Sequence, residues 1–150
     1  MVCVEKIVEL LLPNLLLHFD KPFMFFGCDL GAIIMFEIAR KLYRQGKPTP
    51  LHLFVCATMA PNIYYFPPIY TLPQKRFLEI IDIFEFPYAT KQELTKKLPI
   101  IRADFEAMTT YRYKASEPLS CPITAWAAKQ DILVSSLTVE AWSKHTTAAF

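Results

Sequence analysis

Phe25-Phe26-Gly27-Cys28-Asp29-Leu30-Gly31-Ala32 is the stretch on which the fold turns. Upstream, Phe23-Met24-Phe25-Phe26 is an unbroken apolar run that ends at Gly27. Such a run suits a strand covered on both faces, in the middle of a parallel sheet. Downstream, Ala32 to Gln45 carries Ile33, Ile34, Phe36, Ile38 and Leu42 at helical spacing. A strand thus passes into a helix through a turn with glycine at both ends. Side chains at Gly27 and Gly31 are expected to collide with the turn or the next strand, and the tip residue is expected in strained backbone. Two readings stay open here: an ordinary tight βα turn, or a G-x-S-x-G nucleophile elbow with Asp29 where the serine stands.

Working outward, Arg40, Lys41 and Arg44 suit the C-terminal end of that helix dipole, and Gly46 suits its C′ position. Leu51 to Cys56 reads as a second buried strand, which completes a βαβ unit with a right-handed crossover. Before the elbow, Val4, Ile7, Val8, Leu11, Leu12 and Leu15 mark a helix over Val4 to Leu17, broken or kinked by Pro13. After the second strand, Pro61 to Pro73 holds four prolines and four aromatics and cannot be a regular helix or central strand. Helices are predicted near Gln74 to Phe84, Lys91 to Lys97 and Ile100 to Tyr113, with residues 67–98 as a lid over the sheet edge. Pro122 to Ala127 is a further strand, followed by a loop containing Asp131. Ser136 to Lys144 is a helix capped by Ser135 or Ser136, and Thr147 to Phe150 starts one more strand. Residues 1–150 form one domain, of α/β class.

The composition is 53% apolar and 20% charged, with a net charge of +2. That is globular composition, and the charge is too small to indicate nucleic acid or an anionic membrane as partner. Arg40-Lys41 and Lys96-Lys97 read as ordinary solvated helix positions. Cys3, Cys28, Cys56 and Cys121 form no CxxC pair and lie in apolar surroundings. Free thiols in a reducing cytoplasm are expected, with no metal and no cofactor. No apolar run is long enough to cross a membrane, and the first residues do not read as a signal peptide.

Several segments carry a specific resemblance. Asp20-Lys21-Pro22-Phe23, the elbow, Phe36-Glu37-Ile38-Ala39-Arg40, Leu98-Pro99-Ile100-Ile101-Arg102-Ala103-Asp104-Phe105, Thr110-Tyr111-Arg112-Tyr113, Pro118 to Ile123 and Ala141-Trp142-Ser143-Lys144-His145-Thr146 together resemble the type II thioesterase family. The resemblance implies an α/β-hydrolase fold: a mostly parallel sheet flanked by helices, with a helical lid. It implies hydrolysis of acyl thioesters held on the phosphopantetheine arm of acyl or peptidyl carrier proteins. It places Asp29 at the nucleophile position, Asp131 at the triad acid position and the Leu30 backbone N–H at the oxyanion.

The sequence departs from the family pattern in three ways. Asp29 replaces serine, the GGHF-like segment bearing the base histidine is not matched, and the strands preceding the first helix are not matched. An incomplete hydrolase fold with impaired turnover is therefore expected. One alternative is a non-catalytic carrier-protein-binding remnant, and another is an α/β-hydrolase with an aspartate nucleophile. Cys28, beside the tip, is a weaker candidate nucleophile because the family carries histidine there. His145 reads as structural, His18 and His52 as helix-end and strand positions, and Arg102 with Asp104 as a structural ion pair.

Overall fold

The computed structural model describes residues 2–83, 91–131 and 133–150. Three parallel strands, β1 (Phe25–Cys28), β2 (Leu53–Cys56) and β3 (Ile123–Trp126), lie in the order β1-β2-β3. Phe25 pairs with Leu53, and Leu53 with Ile123, so the three strands end level. Among the described residues five α-helices accompany them: α1 (Val4–Leu15), α2 (Leu30–Arg44), α3 (Gln74–Ile83), α4 (Lys91–Thr110) and α5 (Ser136–Glu140).

Helix α2 packs on one face of the sheet and α1 packs against α2, because each presents an apolar stripe. In α1 the buried positions are Val4, Val8 and Leu12, four residues apart; in α2 they include Ala32, Ile33, Phe36 and Ala39. These side chains meet Leu53, Val55, Ile123 and Trp142 in the main core. Trp142 is fully buried, sits edge-on to Phe36 at 5.3 Å and donates its indole N–H to the Thr58 carbonyl at 3.2 Å. Truncating such a residue to alanine costs about 3–5 kcal/mol. A second cluster joins Ile69, Phe77, Ile81, Leu98, Ile101 and Phe105 from the segments around α3 and α4.

Among the described residues the opposite face of the sheet is partly exposed, where strands covered on both faces were expected. Phe26 is 59% exposed and Trp126 is 46% exposed. His52, Phe54 and Trp126 stack along it, with ring centroids 4.1 and 5.6 Å apart. Among the described residues the apolar run marks strand propensity, and its buried side is the one that meets α2.

Other expectations shift in detail. Pro13 lies in the last turn of α1, and the chain tightens into a 3-10 turn over Leu16–His18. The two helices expected at Lys91–Lys97 and Ile100–Tyr113 are one, Lys91–Thr110, which passes through Pro99. A helix can absorb the one lost N–H when its apolar side, here Leu98, Ile101 and Phe105, is packed. The predicted end of α3 at Phe84 and residues 84–90 of the expected lid lie outside the described residues. Ser135 caps α5 by accepting from the Thr138 N–H at 3.3 Å, and a 3-10 turn over Ala141–His145 replaces the rest of that predicted helix. Near the C-terminal end of the sequence the chain runs beside β3, with the Ile123 N–H donating to the Ala149 carbonyl at 3.1 Å, without becoming a regular strand. Gly46 has φ of 63°, as a C′ glycine should.

Arg40 is not a solvated position: it is 3% exposed. Its guanidinium donates to Glu37 at 2.6 Å and to the Ser116 hydroxyl at 2.6 and 3.0 Å, bonds the Lys114 carbonyl, and lies 5.0 Å from the Tyr113 ring centroid. The segment after α4 folds over it, and no local pattern in α2 announces that. Arg102 likewise does not pair with Asp104. It donates to the carbonyls of Tyr70 and Leu72 and stacks on Phe77, tying the proline-rich segment to α4.

Candidate active site at the strand-to-helix elbow

Asp29 stands between β1 and α2 with φ 49° and ψ −126°. For a residue with a Cβ this is strained backbone, of the kind found where a fold over-determines a functional position. Gly27 makes the turn possible. A Cβ there would lie 2.7 Å from the Cα and N of Ala32 and 2.8 Å from the carbonyl carbon of Gly31. Gly31 behaves otherwise than expected, since a Cβ there would meet nothing within 4 Å. The close approach is therefore one-sided: the first turn of α2 presses on the strand at Gly27, while Gly31 faces open space.

A cleft of about 720 Å³ opens above the carboxyl ends of the strands, where α/β sheets place their ligands. Cys28, Asp29, Leu30, Gly31 and Asp131 line its floor and rim, and Phe66, Ile100, Ile101, Phe105 and Met108 form an apolar wall. The two predicted acidic positions, about 100 residues apart in sequence, thus share one cleft. Asp29 is open to the cleft yet partly desolvated. Burial first, and then repulsion from Asp131, raise its carboxyl above the ordinary carboxylate range. Asp131 shapes its own loop, its Oδ1 accepting from the N–H groups of Leu133 at 2.8 Å and Val134 at 2.9 Å. Leu30 opens α2, and N–H groups in a first helical turn have no i−4 partner within the helix.

His145 is far from such chemistry, as expected. It is 3% exposed, bonds Asn62 Oδ1 at 2.7 Å and sits edge-on to Phe36 and Tyr113. Burial, then Arg40 and Lys144, push its imidazole down to about 4. His52 bonds Thr124 Oγ1 at 2.8 Å on the partly exposed sheet face, and His18 ends a 3-10 turn.

Sequence reasoning missed three features of the site. Asp104 lines the cleft, and burial raises its carboxyl. Ala57, at the end of β2, has φ of 51° and also lines the cleft. The Tyr64 hydroxyl is buried without a hydrogen-bond partner, and burial followed by the Asp29 charge pushes the phenol up. A positive φ at alanine has no sequence signal, but the aromatic-proline run did mark the segment that contains Tyr64. The cysteine expectation is also corrected. Cys28 and Cys56 are register partners on neighbouring strands and are bonded to each other, while Cys3 and Cys121 are free.

A parallel sheet, a strained elbow at the end of β1 and an acidic loop after β3 define an α/β-hydrolase type of protein. The thioesterase domain family matches residues 3–150, and the chain belongs to that family. It is 35% identical to the linear gramicidin dehydrogenase LgrE of Brevibacillus parabrevis, over 99% of this chain and 58% of that protein. It is also 35% identical to the gramicidin S biosynthesis protein GrsT of Aneurinibacillus migulanus, over 97% of this chain and 59% of that protein. Among solved structures it is similar to the RedJ thioesterase of the prodiginine pathway in Streptomyces coelicolor. There the identity is 31% and the TM-score 0.91, covering 99% of this chain and 57% of RedJ. The chain thus spans less than two thirds of the length of these relatives. Among the described residues no helix is long and apolar enough to cross a membrane.

Proposed function

We propose that the chain carries the acyl-thioester site of a carrier-protein thioesterase, with a carboxylate in place of the nucleophilic serine and with turnover impaired in consequence. The observation that carries this reading is the strained tip residue Asp29, set over a cleft with one apolar wall and a second carboxylate, Asp131, on its rim. The apolar wall suits an acyl chain, the cleft mouth suits a phosphopantetheine arm, and the Leu30 N–H would hold the thioester carbonyl oxygen as negative charge develops. Segment 67–98 would act as the lid. The relatives named for gramicidin biosynthesis and the prodiginine pathway support acyl or peptidyl carrier proteins as the partner class.

Asp29 itself could react only as a carboxylate. Its oxygen would attack the thioester carbonyl, expel the thiolate and leave a mixed anhydride for water to open. The raised carboxyl works against this by keeping more of the group protonated in mild acid. The raised Asp29 carboxyl favours a second reading, binding of acylated carrier without turnover. Hydrolysis of decanoyl-pantetheine by the purified chain, beside saturable binding of the same compound, separates the cases. Binding without hydrolysis above that of Asp29→Ala keeps the acyl-thioester site and supports the second reading. Turnover that Asp29→Ala abolishes would establish an aspartate nucleophile, and absence of binding would remove the thioester assignment.

A further inference from the structure

The carboxyl ends of β1 and β2 carry a cystine that the acyl site does not use. Cys28 and Cys56 are aligned across the strand pair with Cα atoms 4.6 Å apart, and their sulfurs are bonded. Each is followed directly by a non-glycine residue with positive φ, Asp29 after Cys28 and Ala57 after Cys56. The Asp29 N–H donates to the Cys56 carbonyl at 3.1 Å. The tip of the elbow is therefore tied to Cys56 twice, through that hydrogen bond and through the sulfur bridge of its own neighbour. Cys28 is exposed and lines the cleft, and Cys56 is half-buried. A thiol entering the cleft can thus reach the bridge, whereas Cys121 is closed off in the core, at 7% exposure.

We infer that Cys28 and Cys56 form a redox-reversible pair that locks the elbow when oxidised and releases it when reduced. The reaction partner is a low-molecular-weight thiol and its disulfide. A thiolate attacks Cys28 Sγ from the cleft, the S–S bond breaks and Cys56 leaves as a thiolate that takes a proton. A second thiol then displaces Cys28 from the mixed disulfide. Two small thiols become one small disulfide, and their two electrons reduce the cystine to two cysteines. Oxidation is the reverse. In the oxidised state the bridge fixes the two strand ends, and with them the strained backbone of Asp29 and Ala57. In the reduced state those ends are held by the ladder alone, and opening at the elbow becomes easier.

The test uses the full chain in glutathione buffers graded from reduced to oxidised, quenched in acid, denatured and alkylated with N-ethylmaleimide. Mass spectrometry is expected to find four labels in the reduced protein and two in the oxidised protein, the two on Cys3 and Cys121, with one two-electron transition between them. Reduction is expected to lower the thermal midpoint by roughly 10 °C and to speed amide exchange at Asp29 at least tenfold. The double variant Cys28→Ser, Cys56→Ser should take two labels throughout and match the reduced protein in thermal midpoint and Asp29 exchange at every buffer ratio, and the wild-type titration stands alone if that variant does not fold. Four labels throughout, a bridge to Cys3 or Cys121, or a bridge that leaves Asp29 exchange unchanged would each overturn the inference. None of these readings depends on thioester hydrolysis, so failure here is distinct from failure of the acyl-site assignment.

Discussion

Adding one methyl group at each end of the elbow should have opposite consequences. Gly27→Ala places a carbon 2.7 Å from two backbone atoms of Ala32 and 2.8 Å from one of Gly31. No side chain can rotate aside, because all three atoms belong to the turn and the first turn of α2. Overpacking of this kind costs about 1–3 kcal/mol, and a purely backbone clash belongs at the upper end. Gly31→Ala meets nothing within 4 Å and sits at the second position of α2. There the ordinary helix preference for alanine applies, which gives a change between zero and about 0.5 kcal/mol in favour of the variant. Urea unfolding followed by tryptophan fluorescence reads both, since Trp142 is fully buried and reports the core. Gly27→Ala should lower the midpoint by about 1–2 M, while Gly31→Ala leaves it in place or raises it slightly. Equal losses for the two variants, or a larger loss at Gly31, would refute the one-sided clash and the elbow geometry with it.

His145 makes the fold acid-sensitive. Its imidazole, ordinarily near 6.5, is pushed down to about 4 by burial, Arg40 and Lys144, so it is neutral in the fold while the unfolded chain takes up the proton. Stability should therefore rise with pH between about 4 and 6.5 and level off above, with about 3 kcal/mol lost on acidification across that window. Urea midpoints measured from pH 7 to pH 4.5, with the His145 ring followed by NMR, check this, and a ring titrating near 6.5 would contradict it. Asp131→Asn removes the charge that helps to raise Asp29 but keeps an Oδ1 for the Leu133 and Val134 N–H groups. The Asp29 carboxyl, followed by carbon NMR, should titrate lower than in the wild type yet remain raised by burial. An unchanged or higher midpoint would mean that the two carboxylates do not share a cleft.

The type and order of the elements are local properties, and so they were legible in the chain. Apolar periodicity announced α1, α2 and the strands, Gly46 and Ser135 announced caps, and Gly27 announced a turn in which only glycine fits. Motif resemblance across nearly the whole chain identified the family, and it pointed to Asp29 and Asp131, which the fold brings to one cleft. What the sequence left open depends on residues distant in the chain arriving at one place. Arg40 looked solvated because Lys114 and Ser116, which satisfy its guanidinium, lie more than 70 residues away. Cys28 and Cys56 looked like free thiols because their pairing follows from strand register, which spacing alone does not state. Only the tertiary structure decided that Asp104 and Asp131 share the cleft with Asp29 and that Gly31 is sterically free. Burial, charge repulsion and clash are set by what stands opposite a residue, and that is known only once the chain has folded.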